Sequence, residues 1–256
     1  MAAGPDVKLD HVAIGMSRIA DATDFLVGRL GGRAESGGPG GAFRWACWRF
    51  EGGGRIEVIE PAGTDGFLHR FLAARGPGIH HVTFKVRSLA GAVARAEAEG
   101  YRVVGRDESD PDWLVAYLHP KEAQGIVIQL GQSDGSSGRC PWEVPSGPPD
   151  PPPAAHVLGL RTRVRSAERA RLLWERALGG TATDATDAEL LFRWPGSPMR
   201  IVAEIAPDAE EGPVAIELGP APAVPGGLPS GPVPPLGVVF VVMENQPSAA
   251  RLGERP

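Results

Sequence analysis

The change of hydrophobic period along residues 8–131 constrains this chain most. KLDHVAI (8–14) alternates apolar and polar positions as a half-buried strand does. IADATDFLVGRLGG (19–32) switches to the period of a helix, stopped by Gly31 and Gly32. AFRWACWRFEGGGRIEVIEP (42–61) reads as two strands joined by the glycine turn 52–54, and FLHRFLAARG (67–76) as a short amphipathic turn. The order then starts again. GIHHVTFKV is a strand, SLAGAVARAEAEGY a helix with Ser88 as N-cap and Gly100 as stop, and YRVVG, WLVAYLHP and GIVIQL are strands. Strand, helix, strands, twice over, is an internal repeat of β-α-β-β-β type. A compact chain of this pattern is an α+β protein of paired β-α-β-β-β modules in a mixed sheet.

The repeat continues in weaker form. Residues 133–153 are rich in Gly, Ser and Pro and read as a linker between a domain at 7–132 and a second one at 154–243. LGLRTRVRSAERARLLWERALGG gives a third strand, helix and Gly-Gly stop, and LLFRWPGSPMRIVAEIAP a strand pair. GPVAIELG and LGVVFVV are strands of a fourth unit, but the Pro-rich segment between them contains no helix. Aligning the Gly-Gly stops places Gly159 opposite His11, and VAIELG has no histidine where HHVTF has two, so the second domain is expected to be a degenerate copy without a metal of its own, and residues 244–256 a disordered tail.

Alternation also ranks candidate site residues. In LDHVAI, Val12 and Ile14 form the apolar face and His11 looks the other way; in RIEVIE, Glu57 opposes Ile56 and Val58. In HHVTFKV, His81 shares a face with Thr83 and Lys85, while His80 falls in step with Val82, Phe84 and Val86 and reads as a structural, core-side histidine. In GIVIQL, Gln129 faces away from Ile126, Ile128 and Leu130. Two His, one Glu and one Gln make a nitrogen and oxygen donor set suited to one divalent ion such as Co, Ni, Mn, Zn or Fe. Solvated polar residues on the open face of a sheet would give the same pattern, so alternation alone leaves both readings open.

LDHVAI, IEVIEP, GPGIHHVTFKV and HPKEAQGIVIQL together resemble the vicinal oxygen chelate superfamily (glyoxalase, bleomycin resistance and dioxygenase proteins), most closely its methylmalonyl-CoA epimerase branch. The resemblance implies that the paired modules curl around a metal cleft, with the ion held by His11, Glu57, His81 and Gln129. It implies Lewis-acid chemistry that acidifies a C–H beside a carbonyl, in an isomerase or epimerase whose substrate class is an acyl-CoA; a glyoxalase I-like lyase is the nearest alternative. Epimerases of this branch carry Gln at the second ligand position and Glu at the fourth, the reverse of Glu57 and Gln129. They also have a glutamate base on the strand before the second ligand, where this chain reads FRWACWRF. Glu57 is then the expected catalytic base, with Tyr117 and His119 as further candidates for proton transfer. Lys85, with Lys121, is expected to offer a CoA substrate basic groups at the cleft mouth, and Tyr117, His119 and Trp48 to contact the substrate; in a non-catalytic binding protein Trp45, Trp48, Trp113 and Tyr117 would stack a ligand. Extradiol dioxygenases take a carboxylate from the fourth position, so Gln129 argues against that activity. A non-catalytic sequestering protein of the same fold would not need a complete ligand set.

Composition removes other classes. The formal net charge of -5, without a basic run, gives no footprint for nucleic acid. No stretch reads as a signal peptide or membrane span, so a cytoplasmic monomer or homodimer is expected, without a membrane partner. Cys47 and Cys140 are too few for a disulfide framework or a thiolate zinc site.

Overall fold

The computed structural model of the chain describes residues 6–133, 144–219 and 227–243. The first module comprises β1 (Val7–Gly15), a 3-10 turn (Ile19–Ala22) running into α1 (Thr23–Leu26), β2 (Arg33–Pro39), β3 (Phe43–Arg49) and β4 (Arg55–Pro61). After α2 (Phe67–Arg75) comes the second module: β5 (Gly78–Val86), α3 (Leu89–Ala98), β6 (Val103–Asp107), β7 (Leu114–Leu118) and β8 (Val127–Gln132). All eight strands form one mixed sheet in the order β2-β3-β4-β1-β5-β8-β7-β6. The order is the repeat made visible. In each module the first strand pairs in parallel with the last, β1 with β4 and β5 with β8, and the two modules join through antiparallel β1 and β5.

A second sheet repeats the plan. It contains β9 (Val157–Val164), α4 (Ala167–Ala170) continued by a π-helical Arg171–Ala177, β10 (Thr181–Ala185), β11 (Glu189–Arg193), β12 (Arg200–Ile205), β13 (Gly212–Leu218) and β14 (Phe240–Val242). Its order is β10-β11-β12-β9-β13-β14. LGVVFVV contributes only three residues of strand and one isolated bridge, Val233 to Val238. The expected tail at 244–256 and residues 134–143 of the linker lie outside the described residues.

Two local expectations change. IADATDFLVGRLGG keeps helical hydrogen bonds to Leu30, but they alternate between four- and five-residue spans: Val27 N to Thr23 O beside Gly28 N to Thr23 O, and Arg29 N beside Leu30 N, both to Phe25 O. Regular α-helix therefore lasts one turn. RAESGGP, which has little strand propensity, is nevertheless β2, an outer strand held by its ladder to β3. Helix α3 matches its caps, with the Ser88 hydroxyl accepting from Gly91 N–H.

The helix-bearing faces of the two sheets meet. Phe84 of β5 packs on Trp194 (ring centroids 4.9 Å apart) and Trp174 (6.3 Å), α3 lies against the helix after β9, and the Ser197 hydroxyl donates to Leu9 O at 2.6 Å. One continuous apolar core results, and the opposite face of the first sheet is left for the polar residues on its inner strands.

Candidate metal centre

Register brings the candidate ligands together. Ala13, fully buried, is the cross-strand neighbour of Glu57 on β4 and of His81 on β5; Glu57 in turn faces Cys47 on β3. One step along the strands, His11 faces Thr83, Thr83 faces Gln129, and Gln129 faces Tyr117. The Nε2 atom of His81 is 3.3 Å from Oε2 of Glu57, and that of His11 is 3.6 Å from the same oxygen. Potential ligand atoms of His11, Glu57 and His81 all lie within 4.8 Å of one another. All three side chains are buried.

Electrostatics and hydrogen bonding fit a divalent cation. Among the described residues neither His11 Nε2 nor His81 Nε2 has a hydrogen-bond partner, although both are buried. Such orphans are costly unless something with a positive charge accepts their lone pairs. Burial opposes the charge on Glu57, yet the two imidazoles hold its carboxyl well below the usual range. Burial also opposes charge on His11, but the carboxylates of Glu57 and Asp10 push its pKa up to about 9. Burial lowers the pKa of His81. The set is therefore an anionic oxygen flanked by two imidazole nitrogens, a good partner for a borderline metal.

Gln129 shares the face but is not gathered with the other three. Its Oε1 accepts from the Thr83 hydroxyl at 2.6 Å and its Nε2 donates to the Tyr117 hydroxyl at 3.1 Å, leaving one carbonyl lone pair for a further contact. Tyr117 thus lines the cleft, and burial raises the pKa of its phenol. Lys85 stands two residues beyond Thr83 with Nζ 5.8 Å from the Trp113 ring, which lies over Gly131. His119 lies past the end of β7, where Nδ1 accepts from Lys121 N–H at 3.2 Å and caps the turn.

Trp48 is a correction. Because Cys47 is the neighbour of Glu57, Trp48 must face the other side with Ile56, and it is fully buried in the core between the sheet and its helices. Trp45, in step with Cys47, is the tryptophan of β3 on the cleft side. Alternation applied to FRWACWRF would have separated the two.

His80 and Asp10 depart from simple alternation for one reason. The β1–β5 ladder is irregular between Leu9 and His11 and again between Ala13 and Ile14, leaving Asp10 on β1 and His80 on β5 as extra residues. Asp10 Oδ2 is 2.9 Å from His11 Nδ1, and His80 Nδ1 is 2.9 Å from His81 Nδ1. His80 is half-buried beside Phe67 and Phe71 of α2, and burial pushes its pKa down to about 3.

Residues 10–117 match the Glyoxalase/Bleomycin resistance protein/Dioxygenase superfamily. The uncharacterized protein YqjC of Bacillus subtilis is 26% identical over 136 residues, 50% of this chain and 94% of that protein. The mitochondrial methylmalonyl-CoA epimerase of Mus musculus is 26% identical over 131 residues, 49% of this chain and 73% of the relative. A hypothetical protein from Staphylococcus aureus shares the fold across both sheets, with a TM-score of 0.64 at 9% identity, covering 93% of this chain and 99% of its own. No helix among the described residues is long and apolar enough to cross a membrane. Residues 10–117 of this chain are a domain of the Glyoxalase/Bleomycin resistance protein/Dioxygenase (vicinal oxygen chelate) superfamily, with the mouse methylmalonyl-CoA epimerase among its relatives.

Proposed function

We propose that the chain is a divalent-metal-dependent isomerase or epimerase that moves a proton on the carbon next to a carbonyl, with an acyl-CoA as substrate class. The observation that carries this reading is the convergence of two buried, unpartnered imidazole Nε2 atoms on one carboxylate oxygen. His11, Glu57 and His81 would hold the ion, with Gln129 as the fourth group. The ion would supply Lewis-acid polarisation of the substrate carbonyl.

The chain's own residues supply the rest. Glu57 is the carboxylate of the His11–Glu57–His81 cluster; the imidazoles that keep it ionised also weaken it as a base, so it would accept the proton after leaving the ion. Cys47 and Tyr117 flank the site as neutral groups, the thiol pushed up by burial and by the neighbouring Glu57 carboxylate. Lys85 and Trp113 form a cationic and aromatic wall at one end, suited to a phosphate-bearing, stackable tail. The relationship to the mouse epimerase supports the choice of acyl-CoA.

The test combines metal content with proton exchange. Elemental mass spectrometry on wild type, His81→Ala and Glu57→Ala should find close to one transition metal per chain in the first and little in the others. The wild type should then exchange the α-proton of methylmalonyl-CoA with deuterated solvent. Metal without exchange, together with turnover of a hemithioacetal, would replace this reading with glyoxalase-type lyase chemistry. A wild type that refuses Co, Ni, Mn and Zn would leave the cleft as a binding pocket.

A further inference from the structure

We infer that Asp10 and His80 are positioning residues of the metal centre: each occupies a β-bulge one residue before an imidazole ligand and hydrogen-bonds its Nδ1, so that Nε2 of both ligands is turned into the site. The inference rests on the metal-dependent reading above and assigns a role to two residues outside the ligand set.

Geometry carries it. In a regular strand Asp10 and His11 would project to opposite faces, as would His80 and His81. A bulge removes that restriction, and the β1–β5 ladder has an irregularity at each of these two places. Asp10 is itself buried, and its two oxygens are used separately: Oδ2 meets His11 Nδ1 at 2.9 Å and Oδ1 meets Arg55 Nη1 at 3.1 Å. Arg55 is clamped in turn by both oxygens of Glu35, at 2.6 and 3.1 Å. An ionised carboxylate only accepts, so the shared proton sits on His11 Nδ1, and an ion would take Nε2 by displacing the second proton of the imidazolium.

The second bulge makes the same arrangement with a different partner. His80 Nδ1 is 2.9 Å from His81 Nδ1, and the His80 ring is held in place by Phe67 (centroids 5.4 Å apart) and Phe71 (4.9 Å) of α2. When His81 gives its Nε2 lone pair to an ion, its proton must lie on Nδ1, and His80 Nδ1 is the acceptor in place to receive that hydrogen bond. His11 is thus backed by an anion and His81 by a neutral ring. The two ligands are oriented alike but differ in donor strength, His11 being the stronger.

Two measurements test the inference. Long-range proton–nitrogen NMR correlations on the zinc-loaded wild type report which ring nitrogen carries the proton; Nδ1–H is expected for both His11 and His81. A protonated Nε2 on either would overturn the assignment for that ligand. Chelator competition with Co(II) should show about 10- to 100-fold weaker binding in Asp10→Asn. His80→Phe, which keeps the aromatic packing against α2, should bind several-fold more weakly. Both variants should shift the visible Co(II) absorption bands, a signature that a purely structural role would not move. Folded variants with wild-type affinity and spectrum would overturn the inference while leaving the metal reading intact. A wild type that binds neither ion would remove both. The NMR arm needs no variant and can overturn the inference through a protonated Nε2 even if Asp10→Asn fails to fold, in which case His80→Phe carries the affinity and spectral test.

Discussion

Gly159 occupies, in the second sheet, the position that His11 occupies in the first. Val12 pairs with Ile56 and Leu160 with Ile201 in equivalent parallel ladders, so the residues before them correspond. By the same register Glu57 corresponds to Val202, His81 to Ala215 and Gln129 to Val241. None of the four replacements offers a metal-binding side chain. Gly159 has φ +139, and a Cβ placed there would come within 1.9 Å of Arg200 O. One metal per chain is therefore the expected stoichiometry. Gly159→His should not restore a second site; it should destabilise the fold, the backbone conformation alone costing about 1–3 kcal/mol. Metal titration alongside thermal unfolding of this variant checks both expectations.

Arg161 takes the place of Ala13 and fills the second cleft with charge. Its guanidinium meets the fully buried Glu217 at 2.7 Å, Glu204 at 3.1 Å and also Glu189, while Arg200 braces Glu217 from the other side at 2.8 Å. Arg161→Leu leaves Glu217 short of a partner inside the protein and should cost about 3 kcal/mol. Adding Glu217→Leu should recover much of that loss, because the uncompensated charge goes with it. Urea unfolding of the single and double variants measures both. A single variant as stable as wild type would show that Arg200 alone compensates Glu217.

The burial of Trp48 separates packing from ligand contact. Trp48→Ala should lower stability by about 3–5 kcal/mol through the cavity it leaves. Trp45→Ala, on the cleft side, should spare stability and act on substrate affinity. Denaturant midpoints against KM for the two variants distinguish the roles, and the reverse outcome would return Trp48 to the cleft.

Two histidines tilt the stability of the metal-free protein in opposite directions with pH. His80 has a folded pKa of about 3 against an ordinary 6.5, so its contribution is present above 6.5 and is lost as the pH falls toward 3. His11, raised to about 9, contributes fully below 6.5 and loses that contribution as the pH rises through 9. Thermal midpoints of chelated protein should therefore fall on both sides of neutrality. His80→Phe should flatten the acid limb, and an unchanged acid limb would show that His80 is not held neutral.

The module order, the second copy and the His-Glu-His cluster were legible because period and alternation act locally. KLDHVAI, RIEVIE and HHVTFKV each sort their side chains without knowledge of their neighbours. Asp10 escaped that reading because alternation assumes a regular ladder, and a bulge is visible only once β1 and β5 are paired. His80 was assigned to the core for the same reason. RAESGGP became a strand through its partner β3, against its own composition, and the long first helix shortened where five-residue hydrogen bonds interrupt the four-residue ones. Trp48 was open to the rule that found Glu57, and FRWACWRF read strictly in twos gives the observed answer.

Phe84 links the two halves of the chain in a way that bears on how it fails. It lies one residue beyond Thr83 and three beyond His81 on the same strand, yet its ring packs against Trp174 of the helix after β9 and Trp194 just past β11. Loosening of the distant half would withdraw that support from β5 and release the strand that carries His81, a proposed metal ligand. Heat or protease acting on the half without a ligand set should thus appear as escape of the ion, in one cooperative event rather than two.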